Sequence, residues 1–291
     1  MIRRTDDDTL QLAIPKGRMH EGVARLLAEA GIHLTQTVRS YRPHVNLPDC
    51  EVKILKPQSI VEMLHAGSRD VGFAGADWVA ELDGDLVELV DTGLDPVRVV
   101  AAAPASLVRD GALPRGPLVV ASEYERLTRR WIAERGLDAT FVRSYGATEV
   151  FPPEDADLIV DNTATGSTLE ANALVVVDEL MTSSTRLYAN PDALNHPERR
   201  RAIDALVLLV RSVLEARRRV MVEVNVTPDT LEAVLAVLPC MRQPTVAELA
   251  GGGGFAVKAA VPRADLPAVI PKLKAAGGSD VVVTRIAQIV P

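Results

Sequence analysis

The residues best suited to chemistry lie at 157–169, where DLIVDNTATGSTL carries an apolar strand into a loop of Thr, Gly and Ser that opens the next helix. Backbone N–H groups at such a turn converge on one spot, and the helix dipole makes that spot positive. Thr165, Ser167 and Thr168 add hydroxyl donors, and Gly166 lets the backbone close around an anion. Asp161, at the end of the strand, is placed to accept hydrogen bonds from sugar hydroxyls beside that anion. The pattern reads as a cradle for a ribose 5-phosphate. The competing reading is a Thr-rich turn whose hydroxyls only cap the helix.

A second cationic element, PKGR at 15–18, follows the first apolar strand. Lys16 and Arg18 would project from the strand's C-terminal end, where open α/β sheets bind ligands, and pyrophosphate or nucleotide phosphates are their natural targets. Alone, the pair would read as two solvated charges at a loop; beside the phosphate loop it reads as functional.

These groups must be positioned by the alternation of short apolar runs and helical patterns between residues 10 and about 203, the signature of an α/β, mostly parallel sheet covered by helices. Strands are expected at 10–14, 52–55, 71–73, 97–102, 118–121 and 158–160. Val23, Leu26, Leu27 and Ala30 have helical spacing closed by Gly31, and Ser59 with Glu62 and Ser122 with Glu125 have capping-box spacing. A long helix is expected at 197–217. After it Val220, Val222, Val224 and Val226 alternate, and the remainder reads β-α-β-β-α-β with a kink at Pro271.

The 291 residues suffice for two or three domains; 47% are hydrophobic, 24% charged, and the net charge is -7. The acidic balance and the lack of a Lys/Arg stripe argue against nucleic acid, and the polar N-terminus and strand-sized apolar runs argue for a cytoplasmic protein without a membrane partner. Cys50 and Cys240 match no metal-ligand spacing and read as reduced thiols.

Six blocks carry a resemblance in order along nearly the whole chain: LAIPKGRM at 12–19, DVGFAGADWV at 70–79, Glu149 in GATEV, VDNTATGSTLEANAL at 160–174, LPCMRQPTVAEL at 238–249 and KLKAAGGSDVVV at 272–283. The chain resembles the ATP phosphoribosyltransferases of the long, histidine-regulated form. The resemblance implies a two-lobed, periplasmic-binding-protein-like core (1–100 with 188–218, and 101–187) and a C-terminal ferredoxin-like (ACT-like) domain at 219–291.

It further implies transfer of phosphoribosyl from phosphoribosyl pyrophosphate to N1 of ATP, the first step of histidine biosynthesis. Asp161, Thr163, Ala164, Thr165, Gly166, Ser167, Thr168 and Glu149 would hold phosphoribosyl pyrophosphate. Lys16 and Arg18 would be catalytic, and Gly17, Arg39, Gly75, Asp77 and Arg98 would contact ATP. Glu223, Met241, Thr245 and Leu249 would bind histidine as inhibitor. Mg²⁺ would arrive with substrate, with no protein side chain as metal ligand, and the chain would form a homo-oligomer, a dimer and hexamer. Where other nucleobase phosphoribosyltransferases usually carry two adjacent acids, this chain has Asp161-Asn162. That enzyme class and a non-catalytic two-lobed binding protein are the alternatives.

Overall fold

A computed structural model describes residues 8–35, 41–109, 112–241 and 243–290. The chain divides into two compact units, residues 1–25 with 32–204, and residues 26–31 with 205–291.

The first unit begins with β1 (Leu10–Pro15) and α1 (Arg18–Glu29), followed by a small pair, β2 (Leu34–Thr35) and β3 (His44–Val45). Then come β4 (Cys50–Leu55), α2 (Pro57–His65), β5 (Val71–Gly75), α3 (Ala76–Leu82) and the long β6 (Val87–Pro104). The chain continues through β7 (Leu118–Ser122), α4 (Glu125–Arg135), β8 (Ala139–Arg143), β9 (Leu158–Thr163), α5 (Ser167–Ala171) and the long β10 (Leu174–Ala189). Short α6 (Pro191–Asn195) leads into α7 (Pro197–Arg217), of which residues 205–217 belong to the second unit.

Eight of these strands form one sheet in the order β4-β1-β5-β10-β6-β9-β7-β8. β1 is parallel to β4 and β5 on one side, and β7 is parallel to β8 and β9 on the other. Between these halves β10 and β6 run antiparallel to each other, so residues 100 and 187 lie within the two strands by which the chain passes between halves. Leu12, Ala13 and Ile14 of β1 and Val99 to Ala103 of β6 are buried without alternation, as expected for strands covered on both faces.

Contacts around α3 and α4 bear on the site. Glu81 of α3 is buried, and its two carboxylate oxygens accept from the backbone N–H groups of Arg126 and Leu127, each at 3.0 Å, at the start of α4. A carboxylate there meets both the free donors and the positive end of the helix dipole. Trp78 stacks on Tyr124, with ring centroids 4.6 Å apart.

Neither expected capping box forms. Pro57 starts α2 with Lys56 as the cap residue, because proline's fixed φ suits the first helical position, and Ser59 falls inside the first turn. Tyr124 occupies the cap position of α4, while the Ser122 hydroxyl donates to the Val160 carbonyl at 2.6 Å and accepts from the Tyr124 N–H at 2.8 Å. Glu125 turns instead to Arg129 and Arg143.

The second unit contains β11 (Arg219–Val226), α8 (Leu231–Val237), β12 (Thr245–Glu248), β13 (Phe255–Pro262), α9 (Leu266–Ala275) and β14 (Ser279–Arg285). Its sheet order is β12-β13-β11-β14, all antiparallel, which is the expected split β-α-β arrangement. Val220, Val222, Val224 and Val226 point into a core shared with Val234, Val257, Val261, Val269 and Leu273. Pro271 does not terminate α9, which runs through it as one element.

Candidate active site

β9 ends in the segment most suited to chemistry. Leu158, Ile159 and Val160 are fully buried and fix the strand, after which Asp161 and Asn162 are half-buried and Ala164, Thr165, Ser167 and Thr168 reach the surface. The turn closes because Gly166 adopts φ 86, a left-handed conformation that costs glycine little. Its N–H donates to the buried Thr163 hydroxyl at 3.0 Å, and the Thr165 and Ser167 hydroxyls lie 3.0 Å apart. Residues 161–169 line a pocket of about 360 Å³ together with Arg18 and Glu149.

Arg18 is the first residue of α1 and is delivered to this pocket by the turn at Gly17, whose φ is 76. Lys16 is exposed, its backbone N–H bonded to the Leu55 carbonyl, and its ammonium sits 5.9 Å from the Tyr41 ring centre rather than on the pocket wall. Glu149 lies in a short 3-10 turn held by its buried neighbour Thr148, whose hydroxyl is 2.7 Å from that of Ser144.

The pocket's electrostatics centre on Asp161. Burial first, and then the negative charges of Glu149, Glu123 and Asp77, push its carboxyl up to about 6, against the opposing pull of the Asn162 backbone N–H at 2.6 Å. A carboxylate so destabilised gains most from a partner that brings hydroxyl donors or positive charge. Among the described residues lining the pocket, Arg18 carries the one formal positive charge.

Asp77, expected on the nucleotide wall, is buried instead, with both carboxylate oxygens engaged. Oδ1 accepts from the Ser183 hydroxyl at 2.7 Å, and Oδ2 accepts from the Tyr124 hydroxyl at 2.6 Å. The Tyr124 oxygen in turn accepts from Asn162 Nδ2 at 3.0 Å. Gly75 is required here: a Cβ at that position would collide with the folded-back Asp77 carboxylate. Arg98 stands opposite Thr163 in the β6–β9 register and holds Glu179 at 3.3 Å. Arg39 lies outside the described residues. Tyr124, Ser183 and Glu123 did not stand out in the sequence, because their partners are distant in the chain.

In the second unit, Met241 and Thr245 line a pocket of about 400 Å³ with Met221, Cys240, Lys258 and Val290. Glu223 pairs with Lys258 across the β11–β13 register at 3.6 Å. Leu249 is not on that wall; it closes the turn to Gly254 through a backbone bond of 2.9 Å. Among the described residues there is no group of three or more His, Cys, Asp or Glu side chains able to hold a metal, and no helix is long and apolar enough to cross a membrane.

Comparison with known proteins agrees with this architecture. Residues 56–212 match the family model for ATP phosphoribosyltransferase, and residues 216–288 match that for the HisG C-terminal domain. An ATP phosphoribosyltransferase from Pelotomaculum thermopropionicum is 37% identical over 97% of this chain and 99% of its own. One from Desulforudis audaxviator is 36% identical with the same coverage. A chain of the ATP phosphoribosyl transferase (HisG:HisZ) complex from Thermotoga maritima superposes with a TM-score of 0.64 at 27% identity, over 71% of this chain and 99% of that one. Matched by both family models in sequence order and by relatives along nearly its whole length, the chain belongs to the ATP phosphoribosyltransferase family.

Proposed function

We propose that the chain transfers the phosphoribosyl group of phosphoribosyl pyrophosphate to N1 of ATP, releasing pyrophosphate, as the cytoplasmic first step of histidine biosynthesis. The observation that carries this reading is one pocket holding the Thr163–Thr168 loop, Asp161, Glu149 and Arg18. The loop's N–H groups and hydroxyls take the 5-phosphate, and Asp161 accepts the ribose hydroxyls. Adenine N1 attacks the ribose C1 as the bond from C1 to the pyrophosphate oxygen breaks, so that oxygen keeps the electron pair and C1 inverts. Arg18 faces the negative charge that develops there, and Lys16 serves the nucleotide side.

A pocket for a polyanion lined by Asp161 and Glu149 is compatible with a divalent cation held by the substrate's own phosphate oxygens. Mg²⁺ carried in by phosphoribosyl pyrophosphate would supply charge neutralisation of the leaving group.

The purified chain is expected to release pyrophosphate from phosphoribosyl pyrophosphate only when ATP is added. Release with a free nucleobase would place it among the other phosphoribosyltransferases, and binding without release would make it a binding protein. Arg18→Ala should lower kcat by about 10²-fold, in the range for one lost transition-state donor, and Lys16→Ala should act mainly on KM for ATP. Wild-type turnover in Arg18→Ala would remove it from the chemistry.

Feedback by histidine belongs to the same proposal, at the pocket of Met241 and Thr245, with the Glu223–Lys258 pair beside it. Glu223 would meet the ligand's amino group and Lys258 its carboxylate. Met241→Arg should fill this pocket and raise the histidine concentration for half-inhibition by about 10-fold or more, since coupling between sites is commonly of that size. Inhibition curves that superpose on wild type would locate the effector elsewhere.

A further inference from the structure

We propose that Asn162 is a positioning residue, held by the turn from β7 into α4, that sets the Asp161 side chain so that its Oδ2 meets the sugar hydroxyls. The proposal rests on the reading of Asp161 as the ribose carboxylate.

The need for such a device follows from the sheet. β7 pairs with β9 only as far as Ser122 opposite Val160, so Asp161 and Asn162 keep β6 on one side and lose their strand neighbour on the other. The turn at 122–124 takes its place and grips β9 on both sides of Asp161. Before it, the Ser122 hydroxyl donates to the Val160 carbonyl at 2.6 Å and accepts from the Tyr124 N–H at 2.8 Å. After it, Asn162 Nδ2 donates to the Tyr124 hydroxyl at 3.0 Å.

The Tyr124 oxygen can only accept there. Its single proton goes to Asp77 Oδ2 at 2.6 Å, on a carboxylate whose other oxygen is fixed by Ser183. Burial and that same carboxylate hold the phenol far above its usual range, so it stays protonated. The ring is buried and stacked on Trp78, which fixes where the oxygen lies. With one amide hydrogen of Asn162 on Tyr124, the other is left for Asp161. Nδ2 lies 3.4 Å from Asp161 Oδ1, and the Asn162 backbone N–H donates to the same oxygen at 2.6 Å. Both Asn162 donors fall on Oδ1, which leaves Oδ2 for a ligand in the pocket that the two residues line. A purely structural asparagine would contribute stability without altering what Asp161 binds.

The test is a double-mutant cycle on the full chain, with phosphoribosyl pyrophosphate titrated in the absence of ATP so that no transfer takes place. Asn162→Ala should weaken binding about 5- to 10-fold in the wild-type background, and by less than about twofold in the Asp161→Asn background. Tyr124→Phe keeps the ring on Trp78, frees the Asn162 amide and should show the same dependence on Asp161 with a loss of about threefold. Asn162→Ala leaves the Tyr124–Asp77 bond in place, so it decides the matter even where Tyr124→Phe folds poorly. The pH profile is the second readout. Wild-type affinity should fall as pH drops through about 6, where Asp161 takes up its proton under the push of burial and of Glu149, Glu123 and Asp77. Arg18 on the pocket wall and the probe's own phosphates are common to every variant. Asn162→Ala removes a donor to the ionised carboxylate, so the fall should begin at higher pH. A variant that only loosened the fold would lower affinity without moving that midpoint. Equal losses in both backgrounds, an unmoved midpoint, or no loss on Asn162→Ala overturns the proposal. Loss with Asn162→Ala and none with a folded Tyr124→Phe removes Tyr124 from it. If Asp161→Asn itself leaves binding unchanged, the ribose reading falls, and the positioning role with it.

Discussion

Asp161→Asn is expected to raise the melting temperature at pH 8 while weakening phosphoribosyl pyrophosphate binding by about 10²-fold or more, the loss expected when charged hydrogen bonds to sugar hydroxyls disappear. The two effects have one cause. Burial and the surrounding Glu149, Glu123 and Asp77 charges hold the folded-state value near 6, above the ordinary 3.8, so the folded protein binds the proton more tightly than the unfolded chain does. Stability therefore falls as pH rises through the window from about 4 to about 6, and ionised Asp161 opposes folding at every pH above it. The interval from 3.8 to about 6 corresponds to roughly 3 kcal/mol at most. Asparagine keeps the shape and the acceptor for the Asn162 N–H but has no charge to bury. Its advantage should be largest at pH 8 and nearly gone by pH 4. Melting curves of both proteins from pH 4 to 8 check this, and a gap that does not change with pH would show that Asp161 carries no such load. A group kept at a cost to the fold is one retained for its ligand.

The loop around Gly166 was legible because every part of it is local: an apolar strand, a terminal acid, a glycine and hydroxyls within a few residues. The long helix α7 was legible for the same reason, since Ile203, Leu206, Val210 and the residues between them repeat at helical spacing over 21 residues. The S-x-x-E signals failed where a stronger local rule competed, as Pro57 did in α2, or where the serine was taken by a distant partner, as Ser122 is by Val160. Asp77 illustrates what a single sequence withholds. Its motif pointed to a ligand-facing acid, but its partners Tyr124 and Ser183 come from elements 47 and 106 residues away and turn it inward. The extent of β6 was underestimated and β10 was not expected at all, because both carry Asp, Glu, Arg and Thr that read as loop until the strands are seen paired with each other.

Gly166→Val should weaken phosphoribosyl pyrophosphate binding by about 10- to 100-fold while leaving ATP binding within about twofold, because it disturbs the turn and not the nucleotide wall. The position has φ 86, and a Cβ built there meets no atom within 4 Å, so the damage is conformational rather than a clash. A β-branched residue is among the least tolerant of the left-handed region, and the strain is of order 1–3 kcal/mol. The chain can relieve it by rotating the 165–167 segment, which breaks the Gly166 N–H bond to Thr163 and turns the remaining donors away from their common focus. Thermal stability should drop only modestly, since α5 is one short turn and Leu169 is its one buried residue. Gly166→Ala should show the same pattern with a smaller loss. Thr168→Ala keeps the backbone and removes one hydroxyl, and should cost roughly 1.5–3 kcal/mol of phosphoribosyl pyrophosphate affinity if that hydroxyl meets a charged phosphate oxygen. Separate isotherms for the two substrates decide the matter. Equal weakening of both by Gly166→Val, or unchanged binding of phosphoribosyl pyrophosphate, would mean that the 5-phosphate is anchored elsewhere.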